Sequence, residues 1–239
     1  PDLKGKPVLV LSSNDGCVVA RSQEIKDIGV PMGVPIFQIK DIIKDNDVIT
    51  FSSHFALYRD VSRRVFEVLR REVEAIEQYS IDEALAISGA ADVAELRATE
   101  LKDIIERGVG VPVSIGVARS KTIAKYASTV AKKTKGVKVL EPHEWMEVQK
   151  KVELREIWGV GAKTSSAFRE RGLLVVSDFL QLEERTVKSL FGVVGERLQN
   201  ELSGMPVSGL TRSLTPQKSI LHTRSFRKTT EDIEVLKDA

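Results

Sequence analysis

The run Tyr79-Ser80-Ile81-Asp82-Glu83-Ala84 sets two adjacent carboxylates between two apolar segments, 75–79 and 84–88, that read as strands. Neighbouring side chains on a regular strand point to opposite faces, so Asp82 and Glu83 reach one site only where the backbone turns. A strand junction supplies that turn. Hard carboxylate oxygens suit Mg2+, and two such ions about 4 Å apart can stabilise both the attacking and the leaving oxygen of a phosphoryl transfer. A bare Asp-Glu pair is more often a solvated acidic turn, so its meaning depends on what else the chain carries.

Two further motifs bear on phosphate chemistry. Ile157-Trp158-Gly159-Val160-Gly161-Ala162-Lys163-Thr164 leads into a helical stretch that ends at Arg171-Gly172. A Gly-x-Gly turn between short helices bares backbone N–H groups at a helix N-terminus, where they and the helix dipole favour a phosphate. The arrangement is that of a helix-hairpin-helix clamp, or else of a plain glycine turn between packed helices. The third motif is Ser120-Lys121-Thr122-Ile123-Ala124-Lys125, continuing to Ala131-Lys132-Lys133. Ser120 is a plausible N-cap, and Lys121, Lys125 and Lys132 recur near helical spacing, so one face of this helix can hold a polyphosphate.

The charge distribution agrees with such a ligand. The net charge is only +2, yet residues 119–138 hold seven basic residues and no acid, and 202–230 is also acid-free, with Arg212, Lys218, Arg224, Arg227 and Lys228. Basic stretches of this kind release counterions from a phosphate-rich partner, although each alone also suits a solvated helix face.

The elements that must position these residues follow from hydrophobic period and turn chemistry. Val8–Ser12 and Cys17–Arg21 read as a hairpin around Ser13-Asn14-Asp15-Gly16, residues that tolerate positive φ. A helix over 22–28 must stop at the Gly- and Pro-punctuated segment 29–35. Apolar residues at Leu57, Val61, Val65, Val68, Leu69 and Val73 predict a long amphipathic helix over 55–78, overlapping the strand at 75–79. Next come the strand 84–88, a helix over 91–107, a strand over 111–118, the basic helix 120–133 and a strand over 137–140. The alternation predicts an α+β fold with a mixed sheet. From about Glu144 the pattern is nearly all helical, so a small all-α domain is expected from about residue 151, followed by a polar linker at 208–216.

At 42% hydrophobic, the chain has ordinary globular composition. Its longest apolar runs are strand-sized, far short of the roughly twenty residues of a membrane span, so no membrane partner is expected. A single cysteine, Cys17, excludes an internal disulfide and suits a reducing cytoplasm. The opening Pro1-Asp2-Leu3, without methionine, reads as a truncated start.

The motifs 80–84, 120–125, 131–132 and 158–161 stand in the order and spacing of the Y-family, lesion-bypass DNA polymerases, and the chain resembles that family over essentially its whole length. Pro1-Asp2-Leu3-x-Gly5-Lys6-Pro7, with Ser13 to Arg21, resembles the UmuC branch more narrowly. The resemblance implies a right-hand polymerase core with fingers at 1–54, palm at 55–150, a helix-hairpin-helix thumb at 151–209, and a linker with the beginning of a little finger domain at 210–239. Asp82 and Glu83 would be two of three carboxylates holding two Mg2+ ions, with Asp82 bridging them. Lys132 and Lys26 would hold the incoming triphosphate, while Val19 and Ala20 would form a small-residue roof over the nascent base pair. Where the wider family often has Tyr and Arg, this chain has Gln23 and Lys26, which leaves Gln23 without a role. Gly159, Gly161 and Lys163 would hold the DNA backbone, with Arg224 a further DNA contact.

Primer-template DNA and deoxynucleoside triphosphates are the implied partners, with a UmuD-type subunit, RecA and a sliding clamp as accessory ones, in the cytoplasm at the nucleoid. The implied role is lesion bypass in the SOS response. In that family the third carboxylate, a first aspartate, lies on a strand before the segment matched by Pro1, with an aromatic residue that excludes ribonucleotides. The chain as it stands is therefore expected to be inactive in extension without that strand. A non-catalytic DNA-binding fragment or scaffold is the alternative reading.

Overall fold

The computed structural model describes residues 2–87, 93–134, 136–207, 209–210, 219–220 and 230–237. The chain divides into two compact units, one of residues 1–60 with 215–239 and one of 61–214.

In the first unit β1 (Val8–Leu11) is the central strand of three. It pairs antiparallel with β2 (Val18–Arg21) and parallel with β3 (Ile49–Ser52). The predicted hairpin forms as its turn residues dictate: Asp15 takes φ 53°, and the Ser12 hydroxyl accepts the N–H groups of Gly16 and Cys17 at 3.1 and 3.3 Å. Between β1 and β2 the register slips by one residue, Val10 facing Ala20 and Leu11 facing Val18. Val19 is thus the extra residue of a bulge, which turns consecutive side chains toward one side of the strand. Val19 and Ala20 are both exposed as a result, whereas Val18 is fully buried.

Helix α1 (Gln23–Asp27) follows β2, and α2 (Lys40–Asp45) precedes β3. Leu9, Leu11, Val18, Ile25, Val30 and Ile39 make the core of this unit. The strand β3 and the helical segment before it leave no clear trace in the sequence pattern. Helix α2 has six residues and β3 four, too few for a clear hydrophobic period, and β3 is revealed by its pairing with β1.

Helix α3 (Phe55–Glu72) is the long amphipathic helix of the pattern, but it stops at Glu72, before the predicted end at 78. The chain turns at 73–74 and enters β4 (Ala75–Gln78), which pairs antiparallel with β5 (Ala84–Ile87). Helix α4 (Ala94–Val109) ends on Gly110 at φ 82°, and β6 (Ile115–Val117) pairs parallel with β7 (Val137–Val139) across the basic helix α5 (Lys121–Ala131). Parallel and antiparallel pairings both occur, as a mixed α+β arrangement requires, but among the described residues they form three small sheets.

Gly116 is required where β6 lies against α5, since a Cβ there would come within 2.1 Å of the Ser128 amide nitrogen. Four helices complete this unit: α6 (Pro142–Val148), α7 (Ala162–Arg169), α8 (Val176–Leu180) and α9 (Glu184–Leu202). One core joins them to α5, with Ile123 and Ala127 of α5 beside Trp145, Phe168, Phe179 and Leu202. A last short helix, α10 (Ile233–Lys237), belongs to the first unit.

Candidate functional site

The two carboxylates sit on the turn that joins β4 to β5, as their strand-flanked position requires. Tyr79 and Ser80 both donate their N–H groups to the Glu83 carbonyl, closing the turn at 3.0 and 3.2 Å. The Ser80 hydroxyl donates to the Asp82 carboxylate at 2.7 Å and accepts the Asp82 N–H at 3.3 Å, which fixes the aspartate side chain to its own turn. The Ser62 hydroxyl of α3 donates to the Ile81 carbonyl and holds the turn from behind. Asp82 is exposed and Glu83 is half-buried.

Behind this turn lies α5. Its N-cap is Ser120, as the sequence predicts, the hydroxyl accepting the Ile123 N–H. The same hydroxyl donates to the Glu201 carbonyl at 2.6 Å, and the Glu201 carboxylate accepts the Thr122 N–H at 3.1 Å. A buried glutamate of α9 thereby satisfies the amide end of α5, where negative charge is favoured.

So anchored, α5 turns Lys121 and Lys125 toward the β4–β5 hairpin. Lys121 pairs with Glu77 at 2.8 Å and also donates to the Gly209 carbonyl at 2.9 Å, and Lys125 pairs with Glu83. These pairings are what the sequence reading missed. The signal was available in hindsight, since the lysines are four residues apart on one helix face, but nothing local assigns them to acids more than forty positions away. Lys132 stands at the opposite end of α5, at its C-cap, exposed and without a carboxylate partner among the described residues.

The structure brings the second motif to the first. The Tyr79 ring meets Trp158 edge-on at 5.0 Å between centroids, so the acidic turn and the glycine turn adjoin. In the latter, Gly159 takes φ 89°, a conformation that disfavours other residues, while Gly161 is extended and N-caps α7. Lys163 is exposed in the first turn of α7. The segment preceding this turn is a single 3-10 turn, Leu154–Glu156, so the hairpin is flanked by one true helix.

Val19, Ala20 and Lys26 belong to the first unit, Lys26 exposed in the last turn of α1. Gln23 donates to Asp27 at 2.7 Å, which gives it a local partner within α1. Arg224 lies outside the described residues. Asp82 and Glu83 suit a hard divalent cation by donor type and adjacency, and the serine-held turn presents one of them to solvent. Among the described residues no group of three His, Cys, Asp or Glu side chains assembles, so the pair alone would supply only part of a coordination sphere. Also among them, no helix is long and apolar enough to cross a membrane.

The impB/mucB/samB family (IMS) matches residues 1–129. Protein SamB of Salmonella typhimurium is 34% identical over 248 residues, which cover 100% of this chain and 58% of that protein. Protein UmuC of Salmonella typhimurium strain LT2 is 34% identical over 250 residues, again 100% of this chain and 58% of the relative. DNA polymerase IV of Oceanobacillus iheyensis is 32% identical over 216 residues, 86% of this chain and 50% of its own length. The chain thus spans well under two thirds of the curated relatives it matches. Among solved structures, DinB from Sulfolobus solfataricus superimposes with a TM-score of 0.73 at 25% identity, covering 85% of this chain and 61% of that one. An insertion ternary complex of Dbh DNA polymerase gives the same TM-score, identity and coverage.

Proposed function

The chain belongs to the impB/mucB/samB family of Y-family polymerase proteins, and from that premise we propose that it carries the nucleotidyl-transfer centre of a UmuC-type, lesion-bypass DNA polymerase. The observation that carries this reading is the exposed turn between β4 and β5, where Asp82 and Glu83 stand together in front of the lysine face of α5. The reaction makes one P–O bond and breaks another: the primer 3′ oxygen attacks the α-phosphorus, pyrophosphate leaves, and the hydroxyl proton passes to solvent.

Bound Mg2+ would activate the hydroxyl and neutralise charge on the phosphates. Asp82 and Glu83 would hold it, with substrate phosphates and a further carboxylate completing the sphere. Lys132 would bind the triphosphate, since it is exposed and has no carboxylate to satisfy among the described residues. Lys26 is a second proposed triphosphate contact, and within its own unit bulged Val19 and Ala20 offer a low, apolar surface for a base pair. Gly159, Gly161 and Lys163 would hold DNA phosphates without reading sequence.

On this reading residues 1–54 are fingers, 55–150 palm, 151–209 thumb and 210–239 a linker with the beginning of a little finger, Arg224 being a DNA contact there. Primer-template DNA and deoxynucleotides are the substrates. A UmuD-type subunit, RecA and a clamp are the proposed accessory partners, and the SOS response and the nucleoid of the cytoplasm the proposed setting. A relative named DNA polymerase IV and a structural neighbour named Dbh DNA polymerase favour this over a non-catalytic scaffold. The test is Mg2+-dependent extension of a primed template by the polymerase. Loss of extension in Asp82→Ala with duplex binding retained supports the proposal, and extension within about tenfold of the parent removes it.

A further inference from the structure

The two lysine–carboxylate pairs beneath the acidic turn look alike but are differently committed. Lys121 spends its ammonium on two partners, Glu77 at 2.8 Å and the Gly209 carbonyl at 2.9 Å, and both it and Glu77 are more than four-fifths buried. It is a strut. Lys125 has one partner among the described residues, Glu83, and that pair is more open, with side chains 28% and 33% exposed. An ammonium has three donors, so Lys125 keeps donors unspent at the edge of the turn.

We propose that Lys125 is a positioning residue for the acidic turn: it holds the Glu83 carboxylate in place while the site is empty of cations, and its fixed charge sets how tightly Asp82 and Glu83 take a divalent cation. This rests on the reading of Asp82 and Glu83 as cation ligands. The physical reason is competition. One carboxylate group cannot give its full charge to an ammonium and to a dication together, and a positive charge in contact with a ligand repels the arriving ion. Without Lys125, however, two adjacent carboxylates would face each other's charge uncompensated. The lysine therefore trades cation affinity for a preset ligand.

The sign of the trade distinguishes this role from a merely structural one. A strut that is removed loosens the site and weakens binding, whereas removal of a competing charge strengthens it. Mn2+ is the probe, titrated into the 239-residue chain and followed by the loss of the free-ion electron paramagnetic resonance signal. Lys125→Gln should tighten Mn2+ binding by about five- to tenfold, given two charges at partly screened contact distance. Lys125→Arg keeps the charge and should return the affinity to within about twofold of the parent. Lys121→Gln removes the same charge one turn away and should tighten binding by less than about twofold.

A second measurement uses the unaltered chain and does not depend on any variant folding. Acylation of lysines by an amine-reactive ester, mapped by mass spectrometry, should rise at Lys125 as Mn2+ displaces it from Glu83, and stay level at Lys121. Unchanged or weaker Mn2+ binding in a folded Lys125→Gln, or a Lys125 reactivity indifferent to Mn2+ that does bind, overturns the inference alone. Asp82→Asn separates it from its premise: if Mn2+ binding does not depend on Asp82, the cation site itself is wrong and both readings fall.

Discussion

The acidic turn at 80–83 and the glycine turn at 157–161 are neighbours, joined by Tyr79 against Trp158, yet on the proposed reading they would meet phosphate by opposite means. The first presents side-chain charge, and half of that charge, the Glu83 carboxylate, is already answered by Lys125. The second presents backbone, with Gly159 at positive φ and Lys163 exposed at the start of α7. The difference teaches that a charge run in a sequence is not a supply of free charge. Of the seven basic residues in 119–138, Lys121, Lys125 and Lys138 pair with Glu77, Glu83 and Glu144. Arg119, Lys132 and Lys133 have no carboxylate partner among the described residues and remain for an external anion.

The largest effect should come from breaking the charged member of this comparison at its exposed acid. Asp82→Ala removes a proposed cation ligand, and on that reading Mg2+-dependent primer extension should fall by at least about a hundredfold. Duplex affinity, measured by fluorescence anisotropy, should stay within about twofold, because Asp82 touches no phosphate-binding group. Next in size is Lys132→Ala. Loss of one charge-assisted contact to a phosphate should raise the nucleotide KM about tenfold with duplex affinity unchanged. An unaltered nucleotide dependence in steady-state kinetics would show that this free lysine is not where the triphosphate sits.

Much of this comparison was legible from residue types. The hairpin of β1 and β2, the N-cap at Ser120, the turn at 80–83 and the glycine turn all rest on local chemistry, and local chemistry is what a sequence displays. What it conceals depends on contacts between distant segments. The end of α3 at Glu72 is one case, since the apolar period runs on through Val73 but the chain there must leave the helix to pair Ala75 with Ile87. The bulge at Val19 is another: its composition matches a plain strand, and only the register against β1 shows that Val19 and Ala20 turn outward together. The commitment of Lys121 and Lys125 is the third, and it matters most, because it alters which lysines an incoming phosphate can use.

The uncharged member of the comparison should give a smaller and different signature. Lys163→Ala should weaken DNA binding about two- to fivefold at moderate salt, equally for unrelated duplex sequences, and lower the slope of log affinity against log salt by about one. Backbone amides at Gly159 and Gly161 would remain, which is why the loss is partial. A change confined to one sequence would contradict a phosphate clamp.

The smallest effect separates the two lysine pairs from each other. Glu77 and Glu83 both answer a lysine of α5, but Glu77 stands on β4 itself, more than four-fifths buried beside Lys121, and precedes the turn that begins at Tyr79. Glu77→Gln keeps the shape and removes the charge. Lys121 then retains the Gly209 carbonyl and can still donate to the new amide oxygen, so the loss is a fraction of a partly buried ion pair, about 1 kcal/mol or less. For a domain of this size that corresponds to a fall in Tm of about 2–3 °C, readable by thermal melts followed by circular dichroism. Cation binding at the turn should not move, since Glu77 is no ligand there. If Glu77→Gln instead shifts Mn2+ affinity as much as a change at Glu83 does, the two pairs form one electrostatic unit, and the distinction between strut and ligand holder fails.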